Sequence, residues 1–178
     1  ELPQALEEKD GWQNSETAAA FSRFAAMMAA HFEGRVSHFI TLNEPQIVLK
    51  LGYADGIHAP GKRLSLPELV SCWKNLMLAH GLSFRAIRKA APEALIGIAS
   101  TGKLCYPHSP ADEDAARQET FRLTDSDWMF THAIVLDAVC LGRAEPEAGG
   151  LRKLLSEVTP EEWDTMHAVP DFIGGNSY

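Results

Sequence analysis

The sequence predicts an α/β fold on a parallel sheet, and three observations carry that reading. Helical and strand patterns alternate along the chain, and no tight hairpin signal joins one strand to the next. The segment Ala94-Leu95-Ile96-Gly97-Ile98-Ala99 is apolar on both parities, as expected of a parallel strand buried on both faces. At 178 residues the chain also falls short of the roughly 250 that a closed (β/α)8 barrel needs.

The elements follow in order. Residues 1–12 read as a loop leading to a helix. Asn14 or Ser15 caps that helix, Phe21, Phe24, Ala25, Met28 and Phe32 recur at three- and four-residue steps, and Gly34 closes it. A strand is predicted from Val36 to Leu42, ending in Asn43-Glu44-Pro45, because proline cannot donate to a sheet ladder. A loop punctuated by glycine and proline runs from Gly52 to Lys62. Ser65-Leu66-Pro67-Glu68 reads as a capping box that opens a long amphipathic helix, ended by Pro92. The second strand follows. Asp112-Glu113-Asp114 then marks a helix start, with helical patterning toward Leu141 and a break near Thr124. Gly142 to Gly150 reads as a loop. Thr159-Pro160-Glu161-Glu162 caps a short helix, and Asp171 to Asn176 forms a last strand. No repeat and no domain boundary interrupts residues 1–178.

Composition narrows the function. Sixteen Lys and Arg against 24 Asp and Glu leave a net charge of −8, which argues against nucleic acid and against an anionic membrane surface. No apolar run reaches the roughly 20 residues of a spanning helix, and no signal-peptide pattern is present. Cys72, Cys105 and Cys140 are odd in number and widely spaced, so reduced thiols and a cytoplasmic setting are expected. The seven histidines lack metal-ligand spacing, the Asp112 run lacks a calcium loop's spacing, and no cofactor motif is present, so neither a metal nor a cofactor is expected. Trp12, Trp73, Trp128 and Trp163 sit in or beside helices and are expected in the core. His31, His38, His80 and His132 are expected to be structural, whereas His58, in a strand-end loop, remains a candidate functional residue.

Parallel α/β folds carry their chemistry at the carboxyl ends of the strands. Here those ends are Asn43-Glu44 and Asn176-Ser177-Tyr178. Strand parity puts Glu44 on the face of Ile40 and Leu42, an apolar setting suited to a general acid.

These residues bring a family into view. Thr41-Leu42-Asn43-Glu44-Pro45 resembles the T-F/L-N-E-P motif of family 1 glycoside hydrolases, the β-glucosidase family. Leu2-Pro3-Gln4-Ala5-Leu6 resembles the segment after that family's third barrel strand. Gly52-Tyr53 with Gly56-Ile57-His58-Ala59-Pro60-Gly61 resembles its G-x-x-x-G-x-H-A-P-G loop, and Asn75-Leu76-Met77-Leu78-Ala79-His80 its N-L-L-x-A-H helix. Asp171 to Tyr178 resembles D-F-L-G-L-N-Y-Y at the end of its sixth strand. The resemblance implies part of a (β/α)8 barrel, about strands four to six, from a retaining β-glycosidase acting on β-D-glucosides or oligosaccharides. It implies Glu44 as the acid/base, Asn43 at the sugar 2-hydroxyl, Asn176 in the glycone subsite and Tyr178 beside the nucleophile. Gln46 stands where many members carry a tryptophan platform for the aglycone, and Ser177 replaces the first tyrosine of N-Y-Y. No T-E-N-G nucleophile segment occurs in the 178 residues, so the remainder of the barrel, on this chain or another, is an expected partner. A 6-phospho-β-glucosidase of the same family and a non-catalytic half-barrel used for binding or assembly stay open as alternatives.

Overall fold

The computed structural model describes residues 2–176. Strands β1 (His38–Asn43), β2 (Leu95–Ser100) and β3 (Phe172–Gly175) form one parallel sheet in the order β1-β2-β3. All three are the strands read from the sequence. β1 starts two residues later than its β-branched pattern suggests, because the Arg35 and Val36 amides both donate back to the Phe32 carbonyl at the end of the preceding helix.

Before β1 lie a short helix α1 (Gln4–Glu7), a 3₁₀ turn (Gly11–Gln13) and α2 (Ser15–Phe32). Asn14 caps α2, its side-chain oxygen accepting from the Glu16 amide at 2.9 Å. After β1 the chain turns at once into a helical segment, α3 (Pro45–Ile47) continued by a π-helical turn (Val48–Ala54). The crossover to β2 is α4 (Leu66–Ala90), which packs along α2 and opens with the expected box: the Ser65 amide donates to Glu68 Oε2 at 2.8 Å. Between β2 and β3 come α5 (Glu113–Phe121), α6 (Ala133–Leu141), α7 (Gly149–Leu155) and α8 (Pro160–Met166). The break expected near Thr124 is an irregular stretch over 122–132.

α7 was not evident in the sequence. Its amino end has no local cap; Asp125, far back in the chain, accepts from the Gly150 and Leu151 amides at 2.8 and 2.7 Å. Those bonds hold the Asp125 carboxyl below its usual range.

The sheet has two unlike faces. Thr41, Ile96, Ile98 and Ser100 are buried on the side covered by α4. The other side carries Ile40, half exposed, and a ring pair of His38 and Phe172 at 5.7 Å that closes over Gly97, where a side chain would overlap Phe172. The main core lies among α4, α6, α7 and α8, with Trp73, Leu76, Met77, Trp128, Ile134, Leu151 and Met166 fully buried. The indole of Trp73 donates to the Ile134 carbonyl at 2.9 Å and packs edge-on against Trp163, which is partly buried. The four tryptophans are packing residues, as expected.

Candidate functional site

At the carboxyl end of β1 the backbone itself aims the candidate acid/base. The ladder with β2 is irregular between Ile40 and Asn43, where β1 holds one residue more than its partner. Glu44 then adopts the left-handed conformation, φ 48° and ψ 57°, which a residue with a Cβ rarely takes. Both of its backbone groups are held there. The Glu44 amide donates to the Ala99 carbonyl at 2.9 Å, and the Glu44 carbonyl accepts from Ile47 at 2.9 Å. Pro45, with its fixed φ and no amide to satisfy, opens the helix that follows. Strand therefore becomes helix within one residue. The alternation that would put Glu44 on the face of Ile40 does not extend to it, which corrects the parity expectation.

β3 brings the second half of the site. Asp171, just before it, accepts from the Ile96 amide at 2.7 Å and pairs with Arg88 of α4; these contacts keep its carboxyl below the usual range, the amide first. Past β3, the Asn176 amide donates to the Ser100 carbonyl at 3.1 Å. Its side-chain Nδ2 donates to Glu44 Oε1 at 2.7 Å and to Asn43 Oδ1 at 3.1 Å. Asn43 and Glu44, 133 and 132 residues before Asn176 in sequence, thus form one polar cluster with it at the strand ends. Asn43 is exposed and Glu44 and Asn176 are half-buried. Tyr178 and Ser177 lie outside the described residues.

Gln46 departs from its expected place. It is fully buried rather than set at a rim where an aglycone would lie. The turn at Glu44 swings it inward, and its Nε2 donates to Ser100 Oγ at 2.7 Å and to the Thr131 carbonyl at 3.3 Å. Ser100 Oγ also meets His132 Nδ1 at 2.9 Å, and burial pulls His132 below the usual imidazole range. This polar chain behind Glu44 was not anticipated; the serine that ends an otherwise apolar β2 was its one signal.

His80 is buried, as a structural histidine should be, and both ring nitrogens are engaged: Nδ1 with Thr41 Oγ1 at 2.7 Å, Nε2 with the Ala168 carbonyl at 2.9 Å. His58 lines a cleft of about 740 Å³ beside β1, together with Leu2, Leu6, Phe21, Phe24, Leu42 and Asn43. Glu44 and Asn176 are not among the residues lining it. Cys72, Cys105 and Cys140 are free thiols, and burial pushes Cys72 up to about 12. Among the described residues no group of His, Cys, Asp and Glu could hold a metal ion, and no helix is long and apolar enough to cross a membrane.

Comparison with known proteins joins this geometry to a family. The profile of glycosyl hydrolase family 1 matches residues 1–178. The chain belongs to that family. Among its family 1 relatives, β-glucosidase A of Acetivibrio thermocellus is 33% identical over 181 residues, covering all of this chain and 39% of that protein. β-Glucosidase A of Thermotoga maritima is 35% identical over 178 residues, again all of this chain and 39% of the relative. A solved family 1 β-glucosidase from Thermotoga maritima superposes with a TM-score of 0.82 at 28% identity, over 98% of this chain and 38% of that one. The virulence factor SghA of Agrobacterium tumefaciens, solved with its substrate analog salicin, gives 0.83 at 28% identity over 100% and 38%. The three strands and their helices are part of a (β/α)8 barrel, and the chain spans well under half the length of these family 1 relatives.

Proposed function

We propose that this chain supplies the acid/base half of a retaining β-glucosidase site, with Glu44 as the proton donor and acceptor. The observation that carries the reading is the Asn43–Glu44–Asn176 cluster at the strand ends of a family 1 chain. The chemistry needs two carboxyl groups about 5–5.5 Å apart. One attacks the anomeric carbon while the other, protonated, gives its proton to the departing glycosidic oxygen. The now ionised second group then takes a proton from water as that water attacks the anomeric carbon and releases the first carboxylate. Glu44 fits the second role. Its Oε1 accepts from Asn176 Nδ2 at 2.7 Å, a contact that orients the carboxyl at the strand ends. The attacking carboxylate belongs to the remainder of the barrel, on this chain or another, since no T-E-N-G segment occurs here.

Asn43 would donate to the sugar 2-hydroxyl, a contact that strengthens in the transition state, with Asn176 lining the glycone side and Tyr178 beside the nucleophile. The substrate class is β-D-glucosides, the class named for the relatives above.

Leaving-group dependence tests the role. In the assembled enzyme, Glu44→Gln should lower kcat/KM by about 10²–10⁴ for a glucoside with a basic leaving group. With a dinitrophenyl glucoside, whose phenolate leaves without a proton, the loss should stay within about tenfold. Equal losses on both substrates, or none, would refute the assignment.

A further inference from the structure

We propose that His80 is a positioning residue for the Glu44 carboxyl, its imidazole coupling the strand that ends in Asn43-Glu44 to the segment that delivers Asn176. The inference rests on the acid/base reading of Glu44.

The contacts define what the ring does. A carbonyl can only accept, so His80 Nε2 carries the hydrogen and donates to Ala168; Nδ1 then accepts from the Thr41 hydroxyl. Thr41 Oγ1 also lies 3.2 Å from the Gly97 carbonyl on β2, so its one hydrogen is shared between that carbonyl and the nearer ring nitrogen. One ring on α4 therefore reaches β1 on one side and the run into β3 on the other, while its threonine partner touches the strand between them.

The location matters because β1 is irregular there. Its ladder with β2 breaks between Ile40 and Asn43, the stretch that contains Thr41. Where backbone pairing lapses, a side-chain anchor has to hold the strand end, and Thr41 is three residues from Glu44. The segment before β3 has other ties to α4: Gly81 lies against the Thr165 carbonyl, and Arg85 donates to the carbonyls of Asp164 and Thr165 at 2.7 and 2.6 Å. None of those reaches β1. His80 contacts both β1, through Thr41, and the run into β3, through Ala168, the two stretches whose ends meet at the 2.7 Å bond between Asn176 and Glu44.

A buried imidazole, with the Phe84 ring 6.1 Å away, costs desolvation that a leucine would avoid. Both of its nitrogens are satisfied, so the group is tolerated, and what it adds over a leucine is registry between strands. A shift of the carboxyl by about 1 Å is enough to cost on the order of 10²-fold in rate.

The test uses the assembled enzyme and compares kcat/KM on two glucosides, one with a basic leaving group and one dinitrophenyl. His80→Leu should lose about 10- to 100-fold on the first and less than about threefold on the second, because only the proton-requiring step depends on where Glu44 sits. His80→Gln, which can still accept from Thr41 and donate to Ala168, should recover most of the loss. Thr41→Val, which keeps the shape and removes the hydroxyl, should reproduce the leaving-group dependence, and it decides the matter alone if His80→Leu does not fold. Losses equal on both substrates, or no loss in a folded variant, would overturn the proposal. Glu44→Gln serves as the reference: if it shows no leaving-group dependence, the acid/base reading has failed first, and the positioning role falls with it.

Discussion

A glutamate in the left-handed region is a local cost of about 1–3 kcal/mol that the neighbouring structure has to hold in place. At Glu44 the holding groups are identifiable: Ala99 on one side, Ile47 and Pro45 on the other, and the buried Gln46 behind. Gln46→Ala should therefore destabilise the fold by about 1–3 kcal/mol, by removing the donor to the Thr131 carbonyl and one of the two partners of Ser100 Oγ, and should be read as a lower denaturant midpoint. Unaltered stability would show that the buried amide is idle. His80 gives a pH dependence. Burial first, then the Arg85 charge, hold it at about 4 against the 6.5 of a free imidazole, even though the Ala168 carbonyl favours its charged form. Between pH 6.5 and about 4 the unfolded chain takes up a proton that the folded one does not, so stability falls as pH falls through that window, by up to roughly 3 kcal/mol. Urea midpoints of His80→Gln should show a flatter dependence than the parent between pH 4.5 and 7; equal slopes would contradict the account. The residues themselves were legible in the sequence as a motif, but not their directions. Parity could not foresee that Glu44 breaks the strand, nor that Gln46 turns inward as a result.

At the scale of elements, legibility followed the range of the interactions. Caps made within four residues could be read directly: Asn14 on α2, Ser65 with Glu68 on α4, Thr159 with Glu162 on α8. Strand β2 was readable because its apolar run is local. α7 was not, since Asp125 caps it from a distant turn, although Leu151, Leu154, Leu155 and Val158 carry helical spacing. The helical turn after β1 was missed because it depends on the left-handed Glu44. α4 is the element that positions the site, through His80, Gly81, Arg85 and Arg88. The approach at Gly81 leaves no room for a side chain against the Thr165 carbonyl, which is backbone and cannot swing aside. Gly81→Ala should cost about 1–3 kcal/mol or more and loosen α8, seen as faster amide exchange over 160–166. A variant as stable as the parent would mean that α8 does not depend on this contact. Ser65→Ala, which removes only a cap, should cost about 1 kcal/mol and leave exchange in α8 unaltered.

At the scale of the whole molecule, three strands make an arc rather than a closed barrel. Among the described residues β1 and β3 each pair on one side only, and Ile40, Val169 and Ile173 are half exposed. The 178 residues alone should therefore self-associate, giving concentration-dependent sedimentation, and should turn over no aryl β-glucoside; a monodisperse, active chain would contradict both expectations. The alternation of helix and strand made the parallel sheet legible, and the shortfall in length made its incompleteness legible. The proposed attacking carboxylate was not, because no T-E-N-G segment occurs in this sequence. The central claim, that Glu44 is the acid/base of a retaining site, is tested most directly by trapping. In the assembled enzyme with Glu44→Ala, added azide should restore turnover of a dinitrophenyl glucoside and yield the β-glucosyl azide, since the azide enters the space of the lost carboxyl and attacks the glycosyl-enzyme. Turnover unaffected by azide, or an α-glucosyl azide, would contradict the account.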